Sequence, residues 1–151
     1  GTNVSEGRGT TRPFELNGAP WVRDERFAEA LNARRVPGVH FRPTIFEPTF
    51  HKHAKTTCGG VQIHVTDRRT FPAVMAGVLL TEAFREADPA AFEWRQPPYE
   101  YEYTLLPFDI LCGTSATREQ LEAGVRTEEI ARSWEPSVAA FMTLRKRYLL
   151  Y

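Results

Sequence analysis

Two stretches of the chain alternate apolar and polar residues with the two-residue period of a half-buried strand. In Val39–Phe46, Val39, Phe41 and Ile45 share one face while His40, Arg42 and Thr44 share the other. In residues 60–66, Val61, Ile63 and Val65 oppose Gln62, His64 and Thr66. If these strands are neighbours, their apolar faces join one core and the opposite face carries Arg42, Gln62 and His64 together. Helical spacing frames them. A helix is expected over residues 24–34, capped by Asp24, with Phe27, Ala30 and Leu31 as its buried stripe and Pro37-Gly38 as its stop. A second is expected from a Thr70 cap, with Pro72 in its first turn, to about Glu86; Val74, Met75, Val78 and Leu79 form its core side and Asp88-Pro89 ends it. Residues 99–103 alternate tyrosine and glutamate and predict a third strand or extended piece. Residues 108–112 form a short helix closed by Gly113, and Thr117 with Gln120 has the spacing of a capping box, opening a helix that ends near Gly124. Thr127 caps the next. Pro136 then restarts a C-terminal helix that carries Val138, Phe141, Met142 and Leu144 inward.

Residues 1–20 are rich in Gly, Thr, Arg and Pro and poor in periodic apolar positions. They read as an extended loop with turns at Gly7, Gly9 and Gly18, long enough to imply a function or a crossing to another domain. The division is therefore an interdomain loop over 1–20 and a domain over 21–151. The element order argues for an α+β fold, a small mixed sheet with helices packed against it.

At 151 residues the chain can bury a genuine core. Nineteen basic residues balance nineteen acidic ones, so its electrostatics give no case for nucleic acid or an anionic membrane surface. The one basic cluster, Arg145-Lys146-Arg147, reads as a solvated helix face. No apolar run approaches the roughly 20 residues of a membrane span. The chain opens Gly-Thr-Asn without a methionine or a signal pattern, and so reads as a piece of something longer. Cys58 and Cys112 are too few for a disulfide framework and are expected as free thiols.

The densest candidate chemistry lies in residues 3–13, where Asn3, Ser5, Glu6, Arg8, Thr10 and Arg12 are interspersed with Gly7 and Gly9. Glycines let a backbone approach a ligand, and Arg and Asn present multi-donor edges suited to carboxylates, acetamido groups and sugar hydroxyls. A surface turn whose charges pair among themselves fits the composition equally well. It is not a phosphate loop, because no Gly-Lys-Ser/Thr ending occurs. His51 and His53 would share one face of a strand, but no third metal ligand has convincing spacing, so no metal and no cofactor is expected. His64 with Asp67 resembles a base and its orienting carboxylate, yet alternation puts them on opposite faces. Cys58 paired with His64 is an alternative nucleophile. The tyrosines of residues 99–103, with Trp94, either stack on sugar rings or pack a sheet against helices.

An ordered set of longer motifs then identifies a resemblance. Asn3-Val4-Ser5-Glu6-Gly7-Arg8-Gly9-Thr10-Thr11-Arg12-Pro13-Phe14-Glu15 and Gly18-Ala19-Pro20-Trp21 open it. Pro37-Gly38-Val39, Phe41-Arg42-Pro43 and Phe46-Glu47-Pro48-Thr49-Phe50 continue it. Cys58-Gly59-Gly60-Val61-Gln62-Ile63-His64-Val65-Thr66-Asp67-Arg68 and the terminal Tyr148-Leu149-Leu150-Tyr151 complete it. In collinear order over essentially the whole chain, these resemble the NamZ-type (YbbC-like) exo-β-N-acetylmuramidases. The resemblance implies the C-terminal domain of a larger protein that pairs it with an N-terminal Rossmann-like domain, with the active site in the cleft between them. It implies an exported glycoside hydrolase, extracellular or periplasmic, that removes N-acetylmuramic acid from the non-reducing end of peptidoglycan-derived sugars or muropeptides. The family's Pro-Glu-His-Gly-type motif, which holds its proposed catalytic glutamate, is absent here, so the chain alone is expected to be incomplete and inactive. On this reading Glu6 is the candidate catalytic or second carboxyl group. Arg8, Arg12 and Arg42 are candidates to hold the lactyl carboxylate, and Gln62 and His64 to meet sugar hydroxyls or the acetamido group, with Asn3, Ser5 and Thr10 also binding substrate. A non-catalytic carbohydrate-binding or interaction module is the competing class.

Overall fold

The structure, a computed structural model, describes residues 1–23 and 25–150. Asp24, the expected helix cap, and Tyr151 of the terminal motif lie outside the described residues.

The fold is α+β, with the elements β1 (Leu16–Ala19), α1 (Arg26–Ala33), β2 (Val39–Phe46), β3 (Cys58–Val65), α2 (Ala73–Ala87), α3 (Pro107–Cys112), α4 (Ala116–Glu122) and α5 (Thr127–Arg145). The sheet has the order β1-β3-β2 and is antiparallel throughout rather than mixed. Its third strand is not residues 99–103 but β1, inside the segment expected to be a loop, and Gly18 is a strand residue there rather than a turn. The reason is room. A Cβ on Gly60 would lie 2.0 Å from the Asn17 carbonyl oxygen, so only a glycine lets β1 approach β3 this closely.

Alternation gave the two long strands their faces. Arg42 pairs opposite Gln62 and His40 opposite His64, so all four share the side away from the core, while Phe41 and Val61 are buried on the other. At the strand ends the burial fails: Ile45, expected inside, is 73% exposed, and Val65 is exposed as well. β2 is an edge strand, and Ile45 and Val65 lie at opposite ends of its ladder with β3.

The core on that side gathers Leu31 and Ala28 of α1, Leu79, Leu80 and Phe84 of α2, and Val22, Val36 and Phe92. In α1 the buried partner of Leu31 is Ala28, and Ala30 faces solvent. In α2 Val74 is exposed, so the buried stripe begins at Ala76. A smaller cluster joins Val78 of α2 to Phe108, Leu121 and Ile130.

Several expected caps are replaced by other devices. Thr70 lies in a turn before α2, its hydroxyl donating to the Asp67 carbonyl, and Pro72 takes the N-cap position. Thr117 is a buried residue within α4, whose N-cap is Ser115. Gly113 closes α3 in the left-handed conformation, as expected. Helix α5 runs unbroken through Pro136, and Val138, Phe141, Met142 and Leu144 are exposed rather than inward. Residues 99–103 make a tight turn, in which Tyr99 and Glu102 exchange backbone hydrogen bonds. No helix of the described residues is long and apolar enough to cross a membrane.

Candidate functional site

The opening segment is fastened at both ends before it reaches its charged head. Thr2 bridges Trp94, and Ser5 exchanges backbone hydrogen bonds with Gly18 at 2.9 and 3.0 Å. The Asn3 amide group donates to the Ala91 carbonyl (2.8 Å) while its oxygen accepts the Glu93 N–H (3.0 Å). Ser5 is buried, and its hydroxyl oxygen accepts the Gly7 N–H at 3.2 Å. Thr10 donates to the Gly7 carbonyl at 2.6 Å. The polar groups of Asn3, Ser5 and Thr10 thus shape the turn from within.

Gly9 positions the head of the turn. At φ 84° it occupies the left-handed region, and a Cβ there would meet the Phe50 backbone at 2.6 Å. Its carbonyl accepts the Thr49 N–H and hydroxyl, both at 2.9 Å. This seats the loop after β2 against the opening turn. His51, His53 and Lys55 in that loop all adopt positive φ (73°, 56° and 60°), a strained backbone that surrounding contacts must hold. They do not lie on a strand, as their spacing had suggested. His53 bonds through Nε2 to the Asn3 carbonyl (2.7 Å), and Lys52 donates to the Val4 carbonyl (3.0 Å) and to Glu6 (2.9 Å).

Glu6 is therefore a carboxylate held between two cations, with a histidine beside them. Arg8 Nε lies 3.0 Å from it, Lys52 Nζ 2.9 Å and His51 Nδ1 3.8 Å. Partial burial pushes its titration up, but the hydrogen bond from Lys52, its own backbone N–H and the charges of Lys52 and His51 outweigh this and hold it below the usual range. Arg8 also lies over the Phe14 ring, 5.3 Å from its centroid. Glu6, Arg8, His51 and Lys52 line one part of a cleft of about 520 Å³, with Thr81 and Leu80 of α2 and with Arg95 and Tyr99.

The polar side of the sheet carries a second cluster. Arg42 Nη2 donates to Gln62 (2.5 Å), Gln62 Nε2 donates to Glu15 (3.1 Å), and Arg12 Nη1 donates to the same Glu15 oxygen (3.0 Å). The bonds from Arg12 and Gln62 hold the Glu15 carboxyl below its ordinary range, and His64 adds to that through its charge. Arg42 lines a separate depression of about 330 Å³ with Thr44 and Gly60. The structure thus divides the sequence candidates. Arg12, Arg42, Gln62 and His64 gather around Glu15, and Glu6 and Arg8 face the larger cleft with His51 and Lys52. The expected union of Arg42 with Glu6 in one pocket is not seen.

Sequence reasoning passed over Lys52, Glu15 and Arg95. Lys52 belongs to no periodic pattern, and its one signal was the charge density of residues 51–55 directly after a strand. Cys58 carries no nucleophilic reading. It is buried beside the Thr56 carbonyl, and burial, reinforced by Glu47, pushes its thiol up to about 11, so it stays protonated near neutrality. Both cysteines are free. No group of three or more His, Cys, Asp or Glu side chains converges on a metal-sized site among the described residues.

The comparison with known proteins settles the lineage. The family described as "Exo-beta-N-acetylmuramidase NamZ, C-terminal" matches residues 1–151. The chain belongs to that family. It is 42% identical over 151 residues to the peptidoglycan beta-N-acetylmuramidase NamZ of Bacillus subtilis (strain 168), covering all of this chain and 34% of that protein. Among solved structures, a DUF1343 family protein from Bacteroides fragilis NCTC 9343 superposes with a TM-score of 0.81 at 26% identity, over 99% of this chain and 38% of that one. A second DUF1343 protein of the same organism gives a TM-score of 0.64 at 23% identity over 100% of this chain and 37% of its own, a likeness of fold. The NamZ C-terminal fold described here thus spans little more than a third of the length of each.

Proposed function

We propose that this chain is the substrate-facing C-terminal domain of an exo-acting peptidoglycan N-acetylmuramidase. The family match over the whole chain and the 42% identity to the B. subtilis enzyme support the activity class. The observation that carries the site is Glu6, an ionised carboxylate ringed by Arg8, Lys52 and His51 at a cleft of about 520 Å³. Clefts of this size suit small polar ligands.

Glycoside hydrolysis uses an acid whose titration is raised so that it can protonate the leaving oxygen, and commonly a second carboxylate that stays ionised. Glu6, held below the usual range by Lys52 against the opposing effect of burial, fits the second role rather than the first. Glu15, Glu82, Glu102 and Glu128 are also displaced downward, so none of these is poised as the acid. On this reading the acid is supplied by an N-terminal Rossmann-like domain of the parent protein, which closes over the cleft. The substrate is a muramyl saccharide or muropeptide, met outside the cytoplasmic membrane where peptidoglycan lies. The domain alone binds without turnover.

Changing Glu6 to Gln in the full-length protein tests this. The expected result is a fall in kcat of about a hundredfold or more, with fold and melting temperature preserved. Turnover within a few-fold of the parent would remove Glu6 from the chemistry, and a change confined to KM would leave it a binding group. A non-catalytic carbohydrate-binding module is the second reading, favoured by the absence of a raised carboxyl among those displaced. It predicts that muropeptide binding persists while Glu6→Gln leaves hydrolysis by the full-length protein untouched.

A further inference from the structure

The cleft headed by Glu6 is completed by a second segment, which contributes Arg95, Tyr99 and Glu100 and has no part in the reading above. Arg95 is set on a fixed base. Its backbone N–H donates to the Gly1 carbonyl at 3.0 Å, and its neighbour Trp94 bridges Thr2 and packs on Phe92 and Phe108 with ring centroids 5.0 and 4.6 Å apart. The guanidinium itself has no hydrogen bond or ion pair to any described residue. The other candidate cations are already engaged. Arg8 and Lys52 are held by Glu6, Arg12 by Glu15, and Arg42 by Gln62. An unpartnered guanidinium on the wall of a concave site is a receptor for an anion, and its planar fork matches a carboxylate bidentately.

The turn that follows is braced from inside. Tyr99 and Glu102 exchange backbone hydrogen bonds at 2.9 and 3.0 Å. The Glu102 carboxylate accepts the Thr104 N–H and hydroxyl, both at 2.6 Å, and the Leu105 N–H at 3.1 Å. A turn so closed holds Tyr101 and Tyr103 in water at 92% and 71% exposure, while Tyr99 reaches the cleft. Tyrosine carries a large apolar face and a polar tip, which suits a partner that is apolar on one side and hydroxylated at its edge. A pyranose ring has that character. The alternative role for these rings, packing a sheet against helices, is ruled out for Tyr101 and Tyr103 by their exposure.

We infer that residues 95–103 form the saccharide-recognition edge of this cleft, with Arg95 pairing with the carboxylate of an acidic amino sugar and Tyr99 and Tyr101 stacking on the neighbouring sugar ring. The inference rests on the glycosidase reading and names which part of the substrate each side chain holds.

The test uses the full-length protein and two substrates, a β-linked muramyl disaccharide and the same disaccharide with its lactyl carboxyl converted to an uncharged amide. The wild type should prefer the acid. Arg95→Gln should raise KM for the acid about tenfold with kcat nearly unchanged, bringing acid and amide substrates level, and Arg95→Lys should recover part of the preference. Tyr101→Ala should raise KM severalfold and Tyr101→Phe should not. Because neither the Arg95 guanidinium nor the Tyr101 ring is packed into the core, melting temperatures should match the wild type. If Arg95→Gln retains the wild-type preference for the acid, the carboxylate contact is wrong, and if Tyr101→Ala keeps the wild-type KM, the stacking is wrong. A wild type that cleaves neither substrate would overturn the glycosidase reading itself, and this inference with it.

Discussion

Glu82, 5% exposed in the middle of α2, shows how one buried carboxylate can join three elements. It accepts the Thr127 N–H at 3.0 Å and the Thr127 hydroxyl, both Arg34 Nη atoms at 3.2 Å, and lies 3.3 Å from Arg126. Helix α5 has no side-chain cap from its own N-cap residue, Arg126. Glu82 supplies that function from another helix, satisfying orphan donors and placing negative charge at the helix N-terminus. Burial would push its titration up, but Arg34, the Thr127 hydroxyl and the Thr127 N–H outweigh this, and the net shift is downward. A carboxyl lowered on folding adds stability that is fully present above its unfolded value, near pH 4.5, and is lost as pH falls through the folded value. Glu128, lowered chiefly by Arg34, acts with the same sign. Stability should therefore decline on acidification below about pH 4.5, and Glu82→Gln should cost about 2–4 kcal/mol at pH 7 and flatten that decline. Urea midpoints measured from pH 3 to 7 check both, and an unchanged slope in the variant would show that Glu82 does not carry the dependence.

At the scale of elements, two kinds of glycine behave oppositely. A Cβ on Gly59 would stand 2.0 Å from the Val22 carbonyl oxygen and one on Gly60 2.0 Å from that of Asn17, so β3 cannot change here without displacing β1 or the segment that follows it. Gly60→Ala should cost more than about 2 kcal/mol, read as a lower melting temperature and early proteolysis near residues 16–19. Gly77, within α2, has open space where a Cβ would stand, and Gly77→Ala should instead stabilise by about 0.5–1 kcal/mol. The same contrast explains what the sequence disclosed. β2 and β3 were legible because alternation reports a face packed on a core, and α2 because its apolar spacing is helical. β1 was not, since Leu16-Asn17-Gly18-Ala19 lacks both alternation and strand-forming residues, and its place is decided by glycines on the strand it joins. Thr70 and Thr117 misled as caps because a hydroxyl near a helix start has several backbone partners within reach. The site followed the same rule. The Arg42–Gln62 pairing was readable from strand parity, whereas Lys52 meets Glu6 across 46 residues through a strained loop that leaves no periodic trace.

Over the whole molecule, the two buried clusters share α2 and Trp94, and the cleft draws its walls from the opening turn, α2 and the segment at Arg95. Helix α5 belongs to this body only in its first half. Ile130 is fully buried against Val78, Phe108 and Leu121 and Trp134 is packed beside them, but the same face continues into exposed Val138, Phe141 and Met142. Helical spacing alone placed Val138, Phe141, Met142 and Leu144 inward, because periodicity marks which residues share a face and not how far the neighbouring layer extends. Pro136 has no N–H to donate, which deprives the helix of its hydrogen bond to the carbonyl of Arg132, an exposed residue, without breaking it. Stability in the 151-residue chain should therefore divide at the middle of the helix. Ile130→Ala should cost about 2–4 kcal/mol by loss of burial and the cavity it leaves. Phe141→Ser, on the exposed half, should change it by no more than about 0.5 kcal/mol. Urea unfolding of the two variants decides the matter. A Phe141→Ser cost approaching that of Ile130→Ala would mean that the second half of α5 is packed against something within the chain, and that the layer ending at Trp134 extends further than its contacts indicate.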